Sequence, residues 1–446
     1  MEGGQSLLMK MTGNKILHNA KWILLCRIAQ ALLQLAIGML TARYLGPSNY
    51  GLINYAASVI AFVLPIMQLG LQSTLIQELI EEPNKEGEIM GTALAMDFVS
   101  SLVCMGMVYI FVSVMNQGEP ETVIVCMLYS MSLVFRTIEL MQCWFHSKLQ
   151  AKYPSIMALC AYAIVSAYRI YLLMTGKNIY WFAVVNSVEY GLLGISLVVI
   201  YYKLGAQKLS FSFQRVKSLF SRSKYYILAA MMVTVFQNTD HIMLKIISGD
   251  LENGFYSAAV TSAGVCQFVY LTITDSARPV ILAGKKEESV DYEKNISRLY
   301  CIITYMALAQ GVCFTFFAKP IIYILYGEEY LVAVPVLQLL VWHIAFVFMG
   351  SVRNIWILAE GKQSIVWKLN LAGALLNIAI NFVLIPRWGA CGAAVASLGT
   401  QVFTNFVLGF WVKSLRDNNR LLLKGLDPRL LLELVRSQIN KRKRLN

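Results

Sequence analysis

The stretch Thr41–Val59, TARYLGPSNYGLINYAASV, lies between two apolar runs, and the chain writes it a second time as KIISGDLENGFYSAAVTSA, Lys245–Ala263. Each copy has a glycine, four intervening residues, a second glycine and then a run of small and apolar residues. Gly46 corresponds to Gly249 and Gly51 to Gly254, both at an offset of 203 residues. A turn repeated after an apolar run predicts that the whole architecture is duplicated.

The surroundings of the two turns say what is duplicated. Hydrophobic residues make up 57% of the 446-residue chain and charged residues 14%, against about 25% charged in soluble domains. Apolar runs of about 20 residues recur along most of the chain, which two large soluble helical domains would not require. Twelve spans are predicted: Trp22–Thr41, Leu52–Leu71, Met90–Met115, Thr122–Phe145, Pro154–Thr175, Ile179–Tyr202, Tyr225–Ile247, Phe255–Gly284, Leu299–Phe317, Leu331–Ala359, Ser364–Ile385 and Gly389–Val412. A β-barrel is excluded, because its strands would be about 10 residues long and alternating. Over these lengths only helices satisfy the backbone in lipid. The fold class is therefore an all-α integral membrane protein.

The polar segment KLGAQKLSFSFQRVKSLFSRSK, Lys203–Lys224, divides the spans into two sets of six. The repeated turn follows span one and again span seven, the first span of each half. A second echo follows spans four and ten, where Trp144 leads to Lys152 and Trp356 to Lys362. The expected organisation is an N-terminal segment over 1–21, an N-lobe over 22–202, a linker over 203–224, a C-lobe over 225–412 and a basic tail over 413–446. Two duplicated six-helix bundles around a central cleft follow from it.

Lys and Arg concentrate in cytoplasmic loops. With the N-terminus inside, inner segments hold 27 of them and outer loops 4, namely Arg43, Lys177, Lys319 and Arg387. Both termini are thus expected inside, and the net charge of +13 reports topology rather than nucleic-acid binding. No cleavable signal peptide is apparent. The nine cysteines form no C-x-x-C and read as free, packed thiols. In the tail, Asp427 and Pro428 read as an N-cap and first helical residue. Leu431, Leu434 and Val435 could form an apolar face, and Lys441–Arg444 a basic cluster for an anionic leaflet.

No Walker loop, H-E-x-x-H or G-x-S-x-G is present, and neither an enzyme nor a metal site is expected. Charge within the spans carries more information, since each such residue costs about 2.5–3.5 kcal/mol at a helix centre on insertion scales. Arg27, Arg278 and Arg353 fall near the inner ends of spans one, eight and ten, and Arg136 a little deeper in span four. Guanidinium forks fit phosphate, so these four are candidates for a pyrophosphate held at one level. Pairing within a helix, Arg136 with Glu139 and Arg278 with Asp275, is the alternative, as is snorkelling to headgroups. Asp240, Glu189 and Asp97 lie deep in spans seven, six and three and are candidates for carrying a coupling proton or sodium ion. Asp240 could instead pair with His241 or Lys245, or bond to a neighbouring span. Asn370, Asn377 and Asn381 read as helix–helix hydrogen-bonding groups. The acidic run EEPNKEGE, Glu81–Glu88, has no assigned role.

Four segments together resemble the Wzx-type oligosaccharide flippases, the polysaccharide transporters of the multidrug/oligosaccharidyl-lipid/polysaccharide exporter superfamily. They are ARYLGPSNYGLINYAAS, NTDHIMLKIISGDLENGFYSAA, IIYILYGEEYLVAVPVLQLL and NFVLIPRWGACGAAVAS. The resemblance covers residues 10–415. It implies a MATE-like fold that moves a polyprenyl-pyrophosphate-linked oligosaccharide from the cytoplasmic to the outer face of a bacterial plasma membrane by alternating access, for O-antigen, capsule or exopolysaccharide assembly. It implies an H⁺ or Na⁺ gradient in place of a cofactor, with Asp240 at the family's D-x-x-M-L aspartate, and membrane lipids and the polysaccharide polymerase machinery as partners. A cation-coupled multidrug exporter would call for an acidic, aromatic cleft, and a membrane polysaccharide polymerase for a long outer loop with catalytic groups. The intramembrane arginines and the short outer loops favour neither.

Overall fold

A computed structural model of the chain describes residues 2–287, 289, 291–433 and 436, and the side chains among them other than those of 2–25, 27, 73 and 229. Among the described residues all regular structure is helical, and ten helices are long and apolar enough to cross a membrane. Two of the ten are broken inside. Ile28–Met67 has 40 residues and breaks at Gly46, and Gln363–Trp411 has 49 and breaks at Gly389. At 1.5 Å per residue each has length for two crossings of about 30 Å. Breaks at these two places are consistent with the twelve spans expected from the sequence.

Contacts divide the chain into Met1–Thr234 and Val235–Asn446. The first unit holds α1 (Glu2–Met67), α2 (Leu71–Glu81), α3 (Glu86–Met115), α4 (Pro120–Arg136), α5 (Gln142–Ser147), α6 (Lys152–Met174), α7 (Ile179–Lys203) and the start of α8 (Phe213–Ser248). The second holds the rest of α8, then α9 (Asp250–Ala263), α10 (Gln267–Lys286), α11 (Tyr292–Tyr326), α12 (Val334–Ala359), α13 (Val366–Val402), α14 (Leu408–Trp411) and α15 (Arg416–Gly425). Ile89, Met90, Phe145 and Tyr201 lie in one closed core of the first unit.

The repeated turn is one backbone conformation used twice. Gly46 has φ 72° and ψ 170°, and Gly249 has φ 88° and ψ −178°. That region is essentially closed to side chains, so the sequence must place glycine at both. Gly51 and Gly254 continue as helix.

The second echo is also structural. Lys148, Leu149 and Gln150 donate their backbone N–H groups to Trp144, His146 and Phe145; Glu360, Gly361 and Lys362 donate theirs to Trp356, Leu358 and Ile357. The two patterns match bond for bond, as the helix-ending motif with crossed bonds to the last turn. Leu149 (φ 56°) and Gly361 (φ 68°) occupy the same left-handed position. A lysine stands over each tryptophan: Lys148 at 5.9 Å from the Trp144 ring centroid and Lys362 at 4.6 Å from that of Trp356.

The linker does not hang free of the first unit. Ser210 N donates to Gly87 O at 3.1 Å, and Ser212 N to Thr92 Oγ1 at 3.0 Å. Arg215 reaches Glu82 at 2.6 Å, Glu78 at 3.3 Å and Glu88 at 3.4 Å, and Arg222 reaches Glu78 at 2.8 Å. Lys148 pairs with Glu86 at 2.8 Å. The acidic run Glu81–Glu88 thus has a use: it is the near side of an ionic strap. Hydrogen-bonded Arg215 holds the Glu82 carboxyl down at about 2, against an ordinary 4.5.

In the tail, Arg429 N donates to Asp427 Oδ1 at 2.9 Å, the cap expected there. Leu434, Val435 and Lys441–Arg444 lie outside the described residues. All nine cysteines are free thiols.

Candidate functional site

The second unit contains a cavity of about 570 Å³ whose wall includes Asp240, His241, Tyr256, His343, Asn377, Ser397 and Gln401. Asp240 is 7% exposed. A carboxylate so deeply placed needs hydrogen-bond donors, and three side chains supply them. Tyr256 Oη donates to Asp240 Oδ2 at 2.8 Å, Ser397 Oγ donates to the same oxygen, and Asn381 Nδ2 donates to Oδ1 at 2.6 Å. Asn381 also donates to Asn377 Oδ1 at 3.0 Å, one turn earlier.

The break in α13 makes this convergence possible. Asn381 precedes Gly389 and Ser397 follows it, so a straight helix would not direct both at one carboxylate. Gly389 has φ 51° and ψ −128°, outside the helical region. The limb beyond it is capped from α9, where Glu252 Oε2 accepts from Ala390 N at 2.7 Å. The kink is thereby held from a neighbouring helix.

Of the structural alternatives for Asp240, the bond to neighbouring spans is the one found, from Tyr256, Asn381 and Ser397, while His241 and Lys245 bond elsewhere. Lys245 pairs with Asp250 at 2.8 Å, and His241 Nδ1 lies 2.8 Å from Asn253 Oδ1. Asp240 is left with hydroxyl and amide groups, which are neutral. One carboxylate among neutral hydroxyl and amide groups at a cavity wall suits a proton or a monovalent cation. Asn377 and Asn381 do bond across and along helices, as their spacing suggested. Tyr256 and Ser397 carried no signal of their own in the sequence.

The other carboxylates belong to the first unit. Asp97 on α3 is 1% exposed, with Oδ1 lacking a hydrogen-bond partner. Glu189 on α7 lies 3.9 Å from Arg169, which also donates to Asn186 at 3.1 Å and to Tyr162 at 3.4 Å.

The candidate arginines differ in setting. The side chain of Arg27 lies outside the described residues. Arg136 pairs with Glu139 at 3.6 Å, the alternative raised from its spacing, and its guanidinium stands 4.3 Å from the Tyr190 centroid. Arg278 is about half exposed and only 3.9 Å from Asp275, itself two-thirds exposed, so that pair holds it weakly. Arg353 is buried, and its Nη1 donates to Thr404 O at 2.6 Å.

A family model described as polysaccharide biosynthesis protein matches residues 40–335. The chain belongs to that family. The chain is 20% identical over 385 residues to the capsular polysaccharide biosynthesis protein CapF of Staphylococcus aureus, covering 85% of this chain and 95% of the relative. It is 26% identical over 255 residues to an uncharacterized membrane protein of Methanocaldococcus jannaschii, covering 54% of this chain; it spans about half of that relative's length, 48%. Its fold is that of solved transporters. A structure of the lipid II flippase MurJ in an inward closed conformation aligns with TM-score 0.69 and 16% identity, over 92% of each chain. An inward-facing multidrug resistance MATE family transporter of the MOP superfamily aligns with TM-score 0.62 and 16% identity, over 89% of this chain and 96% of the other. The family protein is thus a multi-pass membrane protein with the MATE-like fold.

Proposed function

We propose that this protein is a flippase for polyprenyl-pyrophosphate-linked oligosaccharide, moving it from the cytoplasmic to the outer face of a bacterial plasma membrane by alternating access. The family match over residues 40–335 carries the reading. The full-length likeness to a capsular polysaccharide protein and the fold shared with a lipid II flippase support it. A sugar headgroup needs a wet route, while the polyprenyl chain stays in lipid. The Lys and Arg distribution supports termini on the cytoplasmic side.

The Asp240 cavity is the proposed coupling site for H⁺ or Na⁺. Its carboxylate is the acceptor that three neutral donors surround. Binding a cation there neutralises a buried charge, and that change biases one conformation over another. Of the candidate arginines with described side chains, Arg278 is the exposed one and the proposed first contact for the pyrophosphate.

The test uses inside-out vesicles and a fluorescent lipid-diphosphate oligosaccharide presented on the outer, formerly cytoplasmic, leaflet. The expected result is transfer to the inner leaflet that requires the protein and falls with Arg278→Ala at unchanged protein level. Vesicles that instead accumulate a cationic dye, with no glycan transfer, would favour a drug exporter and overturn the proposal.

A further inference from the structure

A second cavity in the same unit, of about 160 Å³, is lined by Arg353 together with Ser351, Asn354, Asn370, Gln401 and Asn405 among other residues. No carboxylate lines it among the described residues. Arg353 is 5% exposed. Its Nη1 bonds the Thr404 carbonyl, and its buried Nε has no hydrogen-bond partner. Thr404 lies in the π-helical turn Phe403–Val407, inside the last span. A π turn displaces the regular bonding of its carbonyls, which makes the Thr404 oxygen an acceptor for a side chain. Gly350 leaves room for the Asn405 amide against α12, so the turn sits tightly on the helix that carries Arg353.

One carbonyl is a partial dipole. It does not neutralise a guanidinium, and a buried cation without a counter-charge is costly. The wall adds amide groups that can donate hydrogen bonds, from Asn354 and Asn370. We propose that the Arg353 cavity is an oxyanion site that takes one phosphate group. At about 30 Å³ per water its volume equals about five waters, room enough for a phosphate group. The guanidinium supplies the forked donors that phosphate geometry uses. The inference deepens the flippase reading, and it rests on that reading only where the anion is taken to be a lipid headgroup.

The experiment uses the full chain purified in detergent. Its thermal unfolding is followed while orthophosphate or pyrophosphate is titrated at fixed ionic strength, with potassium chloride as control. The site predicts saturable stabilisation by the oxyanions and none by chloride. Arg353→Lys keeps the charge and a donor for Thr404 but loses the fork; it should weaken apparent affinity at least tenfold. Asn370→Leu leaves the Arg353 bond untouched and should also weaken affinity, so the test survives if the lysine variant does not fold. Absence of oxyanion-specific stabilisation in the wild type, or equal affinity in wild type and both variants, would overturn the proposal. Farnesyl diphosphate is the lipid probe: tighter binding than pyrophosphate assigns the site to a lipid headgroup, and equal binding assigns it to a free anion. Vesicles that fail to flip glycan while pyrophosphate still stabilises the protein would end the flippase reading and leave the site standing.

Discussion

Asp240→Asn separates the coupling role of the carboxylate from its structural one. The amide is the same size, and its oxygen can take the Oδ1 position to accept from Asn381. Its nitrogen then faces the Tyr256 and Ser397 hydroxyls, which rotate to accept where they had donated. Three charge-assisted hydrogen bonds become neutral ones, and against that loss a buried charge disappears. These terms oppose each other, so the fold should change in stability by no more than about 2 kcal/mol. The effect on coupling is of a different kind. One elementary charge moved through 100 mV is worth about 2.3 kcal/mol, and about 1.36 kcal/mol is a factor of ten. A single coupled cation thus supports about a 50-fold bias in the leaflet distribution of the substrate. In vesicles with an imposed pH or sodium gradient, the wild type should show a bias up to that size. Asp240→Asn should show none, while it equilibrates the glycan between leaflets and melts near the wild-type temperature. A variant that keeps the wild-type gradient dependence would refute the assignment.

Three further outcomes are expected. Gly249→Ala forces a side chain into a backbone region reserved for glycine and should cost about 1–3 kcal/mol; Gly46→Ala should cost a similar amount, and an unchanged melting temperature in either would deny that the two turns are equivalent. Lys245 is 2% and Asp250 22% exposed at the side chain, so Lys245→Met should destabilise by about 1–3 kcal/mol, below the fully buried limit, and adding Asp250→Ala should recover part of the loss in a double-mutant cycle. For the strap, folding lowers the Glu82 carboxyl from 4.5 to about 2, so its contribution is complete above about 4.5 and is lost as pH falls toward about 2. Pepsin cleavage within 203–224 should rise across that window in the wild type and should already be fast at its upper edge in Arg215→Gln.

The parts legible in the sequence are those set by local physics. Apolar run length specifies a helix that crosses lipid, whatever its neighbours. A conformation open only to glycine marks itself by glycine, which is why Gly46 and Gly249 announced the duplication. Arg136 with Glu139 needed only helix spacing. The echo of Trp144 and Trp356 was legible too, but that Lys148 stands over Trp144 depends on the reversal of the chain at Leu149, which is invisible to a count of residues.

Other features were decided by tertiary structure alone. Asp240 stood out as a charge in a span, but two of its donors lie 141 and 157 residues further on, and they meet it because Gly389 folds α13. The acidic run gained its role from Arg215, 133 residues away from Glu82. Arg353 looked like three other arginines until a π turn placed a carbonyl beside it and no acid. Helix-forming tendency and hydrophobic length act over a few turns of chain and can be read in order. The charge state and partners of a buried group depend on which distant segments close around it, and that information exists only once the helices have packed.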